Sequence, residues 1–311
     1  MYNIRFSFVM PAFKKKFLYQ AIESIMKQSY HNFELIIVND ASPENLEEVI
    51  SKFKDERIRY IVNNTNIGGR DLVANWNQCI QFANHDYIIL ATDDDLYEPH
   101  FLSDAIERIK KYPEVKVIRS GVKKIDEQGN TVDIEFPLKE YMSSREFMLF
   151  YAKGGTISCV SNYIFKKDAL YNNGGFISFP FAHYSDDATA LSLSNKGIAC
   201  IPSNHVCFRV SQINLSNRND TKLVLGQLQA TESYMNWVLK HINSLDTNKN
   251  DYFETACYGG IKMRYIAMLE NLTCKISLPN IVHAIGAIIS AKYLFRKEKL
   301  KLIACFFINK L

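Results

Sequence analysis

The stretch Tyr87-Ile88-Ile89-Leu90-Ala91-Thr92-Asp93-Asp94-Asp95-Leu96-Tyr97-Glu98-Pro99 is the place to begin. A short, apolar, β-favouring run ends in three consecutive aspartates. That pattern predicts a buried strand with Asp93, Asp94 and Asp95 at its carboxyl end. In open α/β sheets ligands bind at this edge. Three adjacent like charges repel, and a divalent cation with oxygen ligands would offset them. A solvated turn capping a helix that begins near His100 would account for the triplet equally well. The surrounding chain has to decide.

On the N-terminal side, residues 6–10 read as a first strand, left by a turn at Pro11, Ala12 and Phe13. Phe17, Ala21, Ile22, Ile25 and Met26 recur at helical spacing. Residues 33–38 are nearly all apolar, as in a strand buried on both faces. They run into Asn39-Asp40-Ala41-Ser42-Pro43, where Ser42 can cap a helix striped by Leu46, Val49, Ile50 and Phe53. A third strand (58–62), a polar loop (63–69) and a helix (71–82) follow. The alternation predicts an α/β fold with a mostly parallel sheet, helices on both faces and right-handed crossovers. The turns at 11–13, 39–42 and 92–95 then gather at one edge, and Asp40 becomes a neighbour of Asp93, Asp94 and Asp95.

On the C-terminal side the rhythm loosens. Helices are expected at 100–111, 140–152 and 186–195, and strands at 115–119, 122–125, 157–165, 198–201 and 206–210. Glu127-Gln128-Gly129-Asn130 reads as a hairpin turn. From residue 217 there is no strand–helix alternation. Leu223, Leu228, Met235 and Val238 suggest one long helix, and residues 258–272 another, weakened at its start by Gly259 and Gly260.

Composition narrows the classes. Of 311 residues, 47% are hydrophobic and 23% charged, as in a globular protein with a sizeable core. The net charge of +4 is too small to argue for nucleic acid. Seven cysteines with no Cys-x-x-Cys spacing suggest neither a disulfide framework nor a zinc site, and fit reduced thiols in the cytosol. The first apolar run is shorter than a signal-peptide core, and no stretch reaches about 18 uncharged apolar residues. A cytoplasmic protein is expected.

Several ordered motifs now carry a resemblance, over roughly residues 4–215, to the inverting family 2 glycosyltransferases of the GT-A fold, of the bacterial surface-polysaccharide type. They are Phe8-Val9-Met10-Pro11-Ala12-Phe13; Phe33 through Ser42; Asn66-Ile67-Gly68; Asn75-Trp76-Asn77; Asp86 through Asp95 with Pro99; Gly174-Gly175-Phe176; and Ser185-Asp186-Asp187. Each alone is weak, and their order is what is specific. The resemblance implies a GT-A catalytic domain at 1–216, with a nucleotide-sugar half (1–99) and an acceptor half (100–216), followed by a helical region at 217–311.

It also implies roles. Pro11, Ala12, Phe13, Asp40, Asn66, Arg70, Asp93, Asp94 and Arg209 would bind the nucleotide-sugar, UDP being the commonest nucleotide of the family. Asp94, with Asp95, would hold Mg²⁺ or Mn²⁺. Thr92 stands where the family's first DxD aspartate often is, and Ser211 where a histidine is usual. Asp187 would be the base that deprotonates an acceptor hydroxyl, for a single displacement with inversion. Gly175, Phe176, His183 and Asp186 would line the acceptor side. The acceptor would be a saccharide or a lipid-linked saccharide. The basic, apolar stretch 281–311 fits either packing against the catalytic domain or peripheral contact with the inner face of a membrane.

Two other classes compete. A sugar nucleotidyltransferase needs a glycine-rich basic loop after the first strand, and residues 11–16 contain no glycine. A degenerate nucleotide-sugar binder is kept open by Thr92 and Ser211, and opposed by Asp187.

Overall fold

The structure is a computed structural model and describes residues 4–214, 220–245, 251–277 and 280–308. The expected boundary between residues 216 and 217 lies outside the described residues. The chain forms two compact units. The first comprises Met1–Phe147, Thr156–Ser178 and Ser185–Ser211; the second comprises Met148–Gly155, Phe179–Tyr184 and Gln212–Leu311.

The first unit is built on one sheet. Its strands are β1 (Phe6–Ala12), β2 (Phe33–Asn39), β3 (Ile58–Val62), β4 (Tyr87–Leu90), β5 (Leu96–Tyr97), β6 (Val117–Ile125), β7 (Thr131–Ile134), β8 (Tyr141–Met142), β9 (Tyr163–Lys166) and β10 (Ile198–Arg209). The order is β3-β2-β1-β4-β9-β6-β10-β5, with β7 on β6 and β8 on β10. The β3-β2-β1-β4 half is wholly parallel. Beyond β4 the sheet turns mixed, because β9 runs antiparallel to both β4 and β6. Helices α1 (Leu18–Met26), α2 (Glu47–Ile50), α3 (Leu72–Cys79), α4 (Phe101–Lys111), α5 (Ser144–Ala152), α6 (Lys167–Asn172) and α7 (Ser185–Leu193) connect these strands.

The core follows from the patterning. Every residue of β2 is buried, as a two-faced apolar strand must be. Leu18, Ala21, Ile22 and Ile25 form the buried stripe of α1, each large side chain contributing about 1.5–3 kcal/mol. Phe8 meets Phe33 and Tyr97 edge-on at ring separations of 5.7 and 5.1 Å. A buried ion pair ties the second half. The Arg119 guanidinium donates to Glu135 Oε1 (2.7 Å) and to the Ile157 carbonyl (2.5 Å). Glu135 also accepts from the Val122 and Ile157 N–H groups.

Several boundaries differ from expectation. Pro11 and Ala12 belong to β1, not to the turn after it. Pro11 is tolerated because pairing with β4 stops at Val9, so its missing N–H falls outside that ladder. Ser42 does not cap α2; its hydroxyl donates to the Phe13 carbonyl and links the turns after β1 and β2. Residues 115–119 and 122–125, expected as two strands, are one strand, β6. Residues 198–201 and 206–210 are likewise one strand, β10, with a register shift between Ile201 and Val206. None of the seven cysteines is joined in a disulfide.

The second unit is mainly helical. It contains the end of α5, then α8 (Thr221–Leu245), α9 (Asp251–Lys275), α10 (Ile281–Ser290) and α11 (Arg296–Ile308). Gly260 does not break α9. A Cβ there would lie 2.6 Å from the Ala152 carbonyl oxygen, so the glycine permits close packing. Tyr184 stacks on Tyr234 at 4.3 Å, and Trp237 lies flat on His241 at 5.0 Å. Among the described residues no helix is long and apolar enough to cross a membrane.

Candidate active site

The turns after β1, β2 and β4 meet at the carboxyl edge of the parallel half. Asp93, after β4, accepts from the N–H groups of Phe13 (2.8 Å) and Lys14 (2.7 Å), so it fastens the loop after β1. Asp95 accepts from Ser161 Oγ (2.6 Å) and the Arg209 N–H (2.9 Å), and its own N–H donates to Thr92 Oγ1. Thr92 therefore closes the acidic turn. Asp94 differs from both neighbours. Its carboxylate has one described ion-pair contact, Lys14 Nζ at 3.9 Å. Burial and then the charge of Asp94 raise the carboxyl pKa of Asp93 and of Asp95.

Asp40 organises the adjoining loop. Its Oδ1 accepts from Asn63 Nδ2 and the Ile67 N–H (both 2.9 Å), and its Oδ2 from the Gly68 N–H (2.7 Å) and Asn66 Nδ2 (3.1 Å). Both oxygens are thus committed to the loop. Asn66 also donates to the Asp40 carbonyl and accepts from the Gly69 N–H. Arg70 is exposed and has no ion-pair partner among the described residues.

On the other half of the unit, Asp186 and Asp187 lie in the first turn of α7, where the helix dipole favours carboxylates. Asp187 is buried. Burial, then the charge of Asp187, raises the Asp186 pKa. The Tyr163 phenol is raised by burial and then by Asp187. The Cys159 thiol is pushed up by burial and then by the charges of both Asp95 and Asp186. One acid from each cluster, far apart in sequence, thus acts on the same thiol.

A family model described as "Glycosyl transferase family 2" matches residues 7–174, more than half of the chain. The chain belongs to glycosyltransferase family 2. The protein EpsE of Bacillus subtilis, named as a glycosyltransferase, is 35% identical over 36% of this chain and 40% of its own length, so that match spans about two fifths of the relative. The GalNAc(5)-diNAcBac-PP-undecaprenol beta-1,3-glucosyltransferase of Campylobacter jejuni is 24% identical over 97% of this chain and 99% of its own. Among solved structures, TarS 1–349 of S. aureus in complex with UDP-GlcNAc superposes with a TM-score of 0.70, at 15% identity, over 99% of this chain and 89% of that one. The fold is GT-A.

In this family 2 glycosyltransferase the expected site residues divide. Pro11, Ala12, Phe13, Asp40, Asn66, Asp93, Asp94 and Asp95 are brought to one edge. Arg209, expected at the phosphates, is enclosed by the fold. Its guanidinium donates to the carbonyls of Asp94 (2.9 Å), Asp126 and Glu127 (both 3.1 Å) and to Gln20 Oε1 (2.9 Å), and it lies 4.3 Å from the Phe17 ring centre. Phe176, expected at the acceptor, is 2% exposed and meets Trp76 and Phe165 edge-on in the core. Gly175 has φ +87°, and a Cβ there would lie 2.3 Å from Asn77 Oδ1. That contact explains the glycine. His183 belongs to the helical unit, and burial lowers its pKa to about 4.

Lys14, Thr92 and Ser161 were not foreseen in these roles. Lys14 sits in a run of three lysines that reads as surface charge. Ser161 comes from a segment with no motif. Only the β4–β9–β6 order brings it to Asp95.

The fit of a metal can be judged from the donors. Mg²⁺ and Mn²⁺ take hard oxygen ligands, and Mg²⁺ is commonly held by one or two carboxylates and completed by substrate phosphates. Among the described residues no group of three or more His, Cys, Asp or Glu forms a closed cage. Asp94, lying between two buried carboxylates, suits the open kind of site.

Proposed function

We propose that this protein transfers a sugar from a nucleoside-diphosphate sugar, UDP being the first candidate, to a hydroxyl of a saccharide or lipid-linked saccharide, with inversion, in surface polysaccharide synthesis on the cytoplasmic side of the membrane. The observation that supports it is that the acids after β4 and those opening α7 share a neighbour: Asp95, next to Asp94, and Asp186, next to Asp187, both act on the Cys159 thiol. One carboxylate faces the leaving diphosphate and the other the attacking hydroxyl. Residues 1–216 form the catalytic domain in this reading, with residues 1–99 serving the donor and 100–216 the acceptor.

In the mechanism, Asp40 holds the loop that carries Asn63 through Gly68 beside the nucleotide. Asp93 fixes the backbone of Phe13 and Lys14, so the β1 loop is formed before the donor arrives. Asp95 and Arg209 brace Asp94 from below. Lys14 and Arg70 supply positive charge for the diphosphate. Mg²⁺ or Mn²⁺, when bound at Asp94, would provide Lewis-acid stabilisation of the diphosphate as it leaves. Asp187 takes the proton of the acceptor hydroxyl. The oxygen forms its bond to the anomeric carbon as the bond to the diphosphate breaks, and the electron pair leaves on the β-phosphate oxygen.

The test is nucleoside diphosphate release from a panel of nucleotide-sugars, with Mn²⁺, with and without saccharide acceptors. Acceptor-dependent release that Asp187→Asn abolishes is expected. Pyrophosphate release would identify a nucleotidyltransferase instead. Binding without turnover, unchanged in Asp187→Asn, would identify a nucleotide-sugar binder.

A further inference from the structure

Helix α10, Ile281-Val282-His283-Ala284-Ile285-Gly286-Ala287-Ile288-Ile289-Ser290, carries no Asp, Glu, Lys or Arg. It buries Ala284 and Ile288. On another face it exposes Val282 (75%) and Ile289 (58%), with Ile285 between them at helical spacing. A helix that is apolar on two faces and buries only one leaves the other to be covered. The chain continues the same theme. Phe295 is exposed, and α11 buries Leu302 and Phe306 while exposing Leu300, Phe307 and Ile308.

The charges in the same stretch of chain are nearly all of one sign. Residues 281–308 contain Lys292, Arg296, Lys297, Lys299 and Lys301 against a single acid, Glu298. Five cations less one anion give +4, equal to the net charge of the whole chain. Glu298 is already paired with Lys262 at 2.9 Å, and Lys299 donates to the Ile289 carbonyl. Lys297 and Lys301 are exposed and form no ion pair among the described residues, and with Leu300, Ala304, Phe307 and Ile308 they share one face of α11.

We propose that α10 and α11 form a docking surface for an anionic lipid bilayer. Apolar side chains interspersed with cations suit the headgroup–acyl boundary of such a surface. A second copy of the same face would bring +4 against +4. The helices are 10 and 13 residues long and lie on the bilayer rather than across it. The surface would hold the protein where a lipid-linked acceptor resides, but its binding needs no turnover and does not depend on the transferase reading.

Sedimentation of the full chain with vesicles tests this, using phosphatidylcholine alone or mixed with phosphatidylglycerol. Binding to the mixed vesicles only, weakened by salt, is expected. Each cation near the surface contributes roughly fivefold to partitioning, so Lys297→Glu with Lys301→Glu should lower it by at least about 25-fold. Val282→Ser with Ile289→Ser leaves the buried face alone and should weaken binding with helical content retained. Protein left in the supernatant with both vesicle types would overturn the proposal. So would binding that neither pair of substitutions changes. Self-association abolished by Val282→Ser with Ile289→Ser would assign the face to a second copy instead. A failed transferase assay leaves all of these readouts intact.

Discussion

The sheet unit and the helical unit bury ionisable groups in opposite ways. In the sheet unit burial raises the pKa of Asp93, Asp95 and Asp186, the last by desolvation and then by Asp187. In the helical unit burial falls on imidazoles, and His183 and His241 are both lowered to about 4. Lys275 adds to the effect at His183. The difference teaches what each unit is for. A cluster of buried carboxylates costs stability and is kept where chemistry uses it. A neutral histidine stacked on Trp237 serves as packing material.

The comparison can be broken first at the acids. Asp187→Asn should lower the sugar-transfer rate by about 10²–10⁴-fold, the range for a general base, while nucleotide-sugar binding stays unchanged and the unfolding midpoint does not fall. If binding falls in parallel with turnover, Asp187 is part of the sheet unit's architecture rather than its chemistry. Next comes the buried pair. Arg119→Met should destabilise the sheet unit by about 3–5 kcal/mol in urea denaturation, because Glu135 is left buried and unpaired. Adding Glu135→Leu should recover part of that loss.

In the helical unit, Gly260→Ala should cost about 1–3 kcal/mol by pushing α9 off the Ala152 carbonyl. An unchanged midpoint would mean that the packing there is slack. The smallest effect is that of pH. Between pH 6.5 and 4 the unfolded chain protonates His183 and His241 and the folded chain does not. Their contribution to stability is therefore full above 6.5 and falls as the pH drops toward 4. Asp186 has the opposite sign: its raised pKa favours the fold at low pH, and that contribution is lost as pH rises through the raised value.

The two tryptophans separate these effects, because Trp76 lies in the sheet unit and Trp237 in the helical one. Trp76→Phe leaves fluorescence that reports the helical unit, and Trp237→Phe leaves fluorescence that reports the sheet. Acidification from pH 7 to 5 should lower the helical midpoint, by an amount on the order of 1 kcal/mol, and raise that of the sheet as Asp186 is relieved of its charge penalty. Equal shifts in both variants would dissolve the distinction.

Much of the parallel half was legible in advance. The apolar runs at β1, β2 and β4, each ending in a turn, mark the strands and the edge where Asp40 and Asp93–95 meet. The mixed half was less legible. Residues 115–125 and 198–210 each read as two short strands, yet β6 and β10 run on because the ladder between them resumes after a register shift. Phe176 read as an acceptor contact because aromatic side chains beside glycines commonly stack on sugars. Its neighbours Trp76 and Phe165 come from other elements, and only their approach shows that the ring lies in the core.

The amino-acid sequence by itself determined the family, the alternation of strand and helix, and which acids stand at strand and helix ends, because periodicity and turn chemistry are local. The tertiary structure decided how those acids differ. Asp93, Asp94 and Asp95 are identical as letters. One binds the β1 loop, one is bound by Ser161 and Arg209, and Asp94 is left facing Lys14. The hydrogen-bond partners lie 66, 80 and 114 positions away. Hydrogen bonding of that range exists only after the sheet has formed.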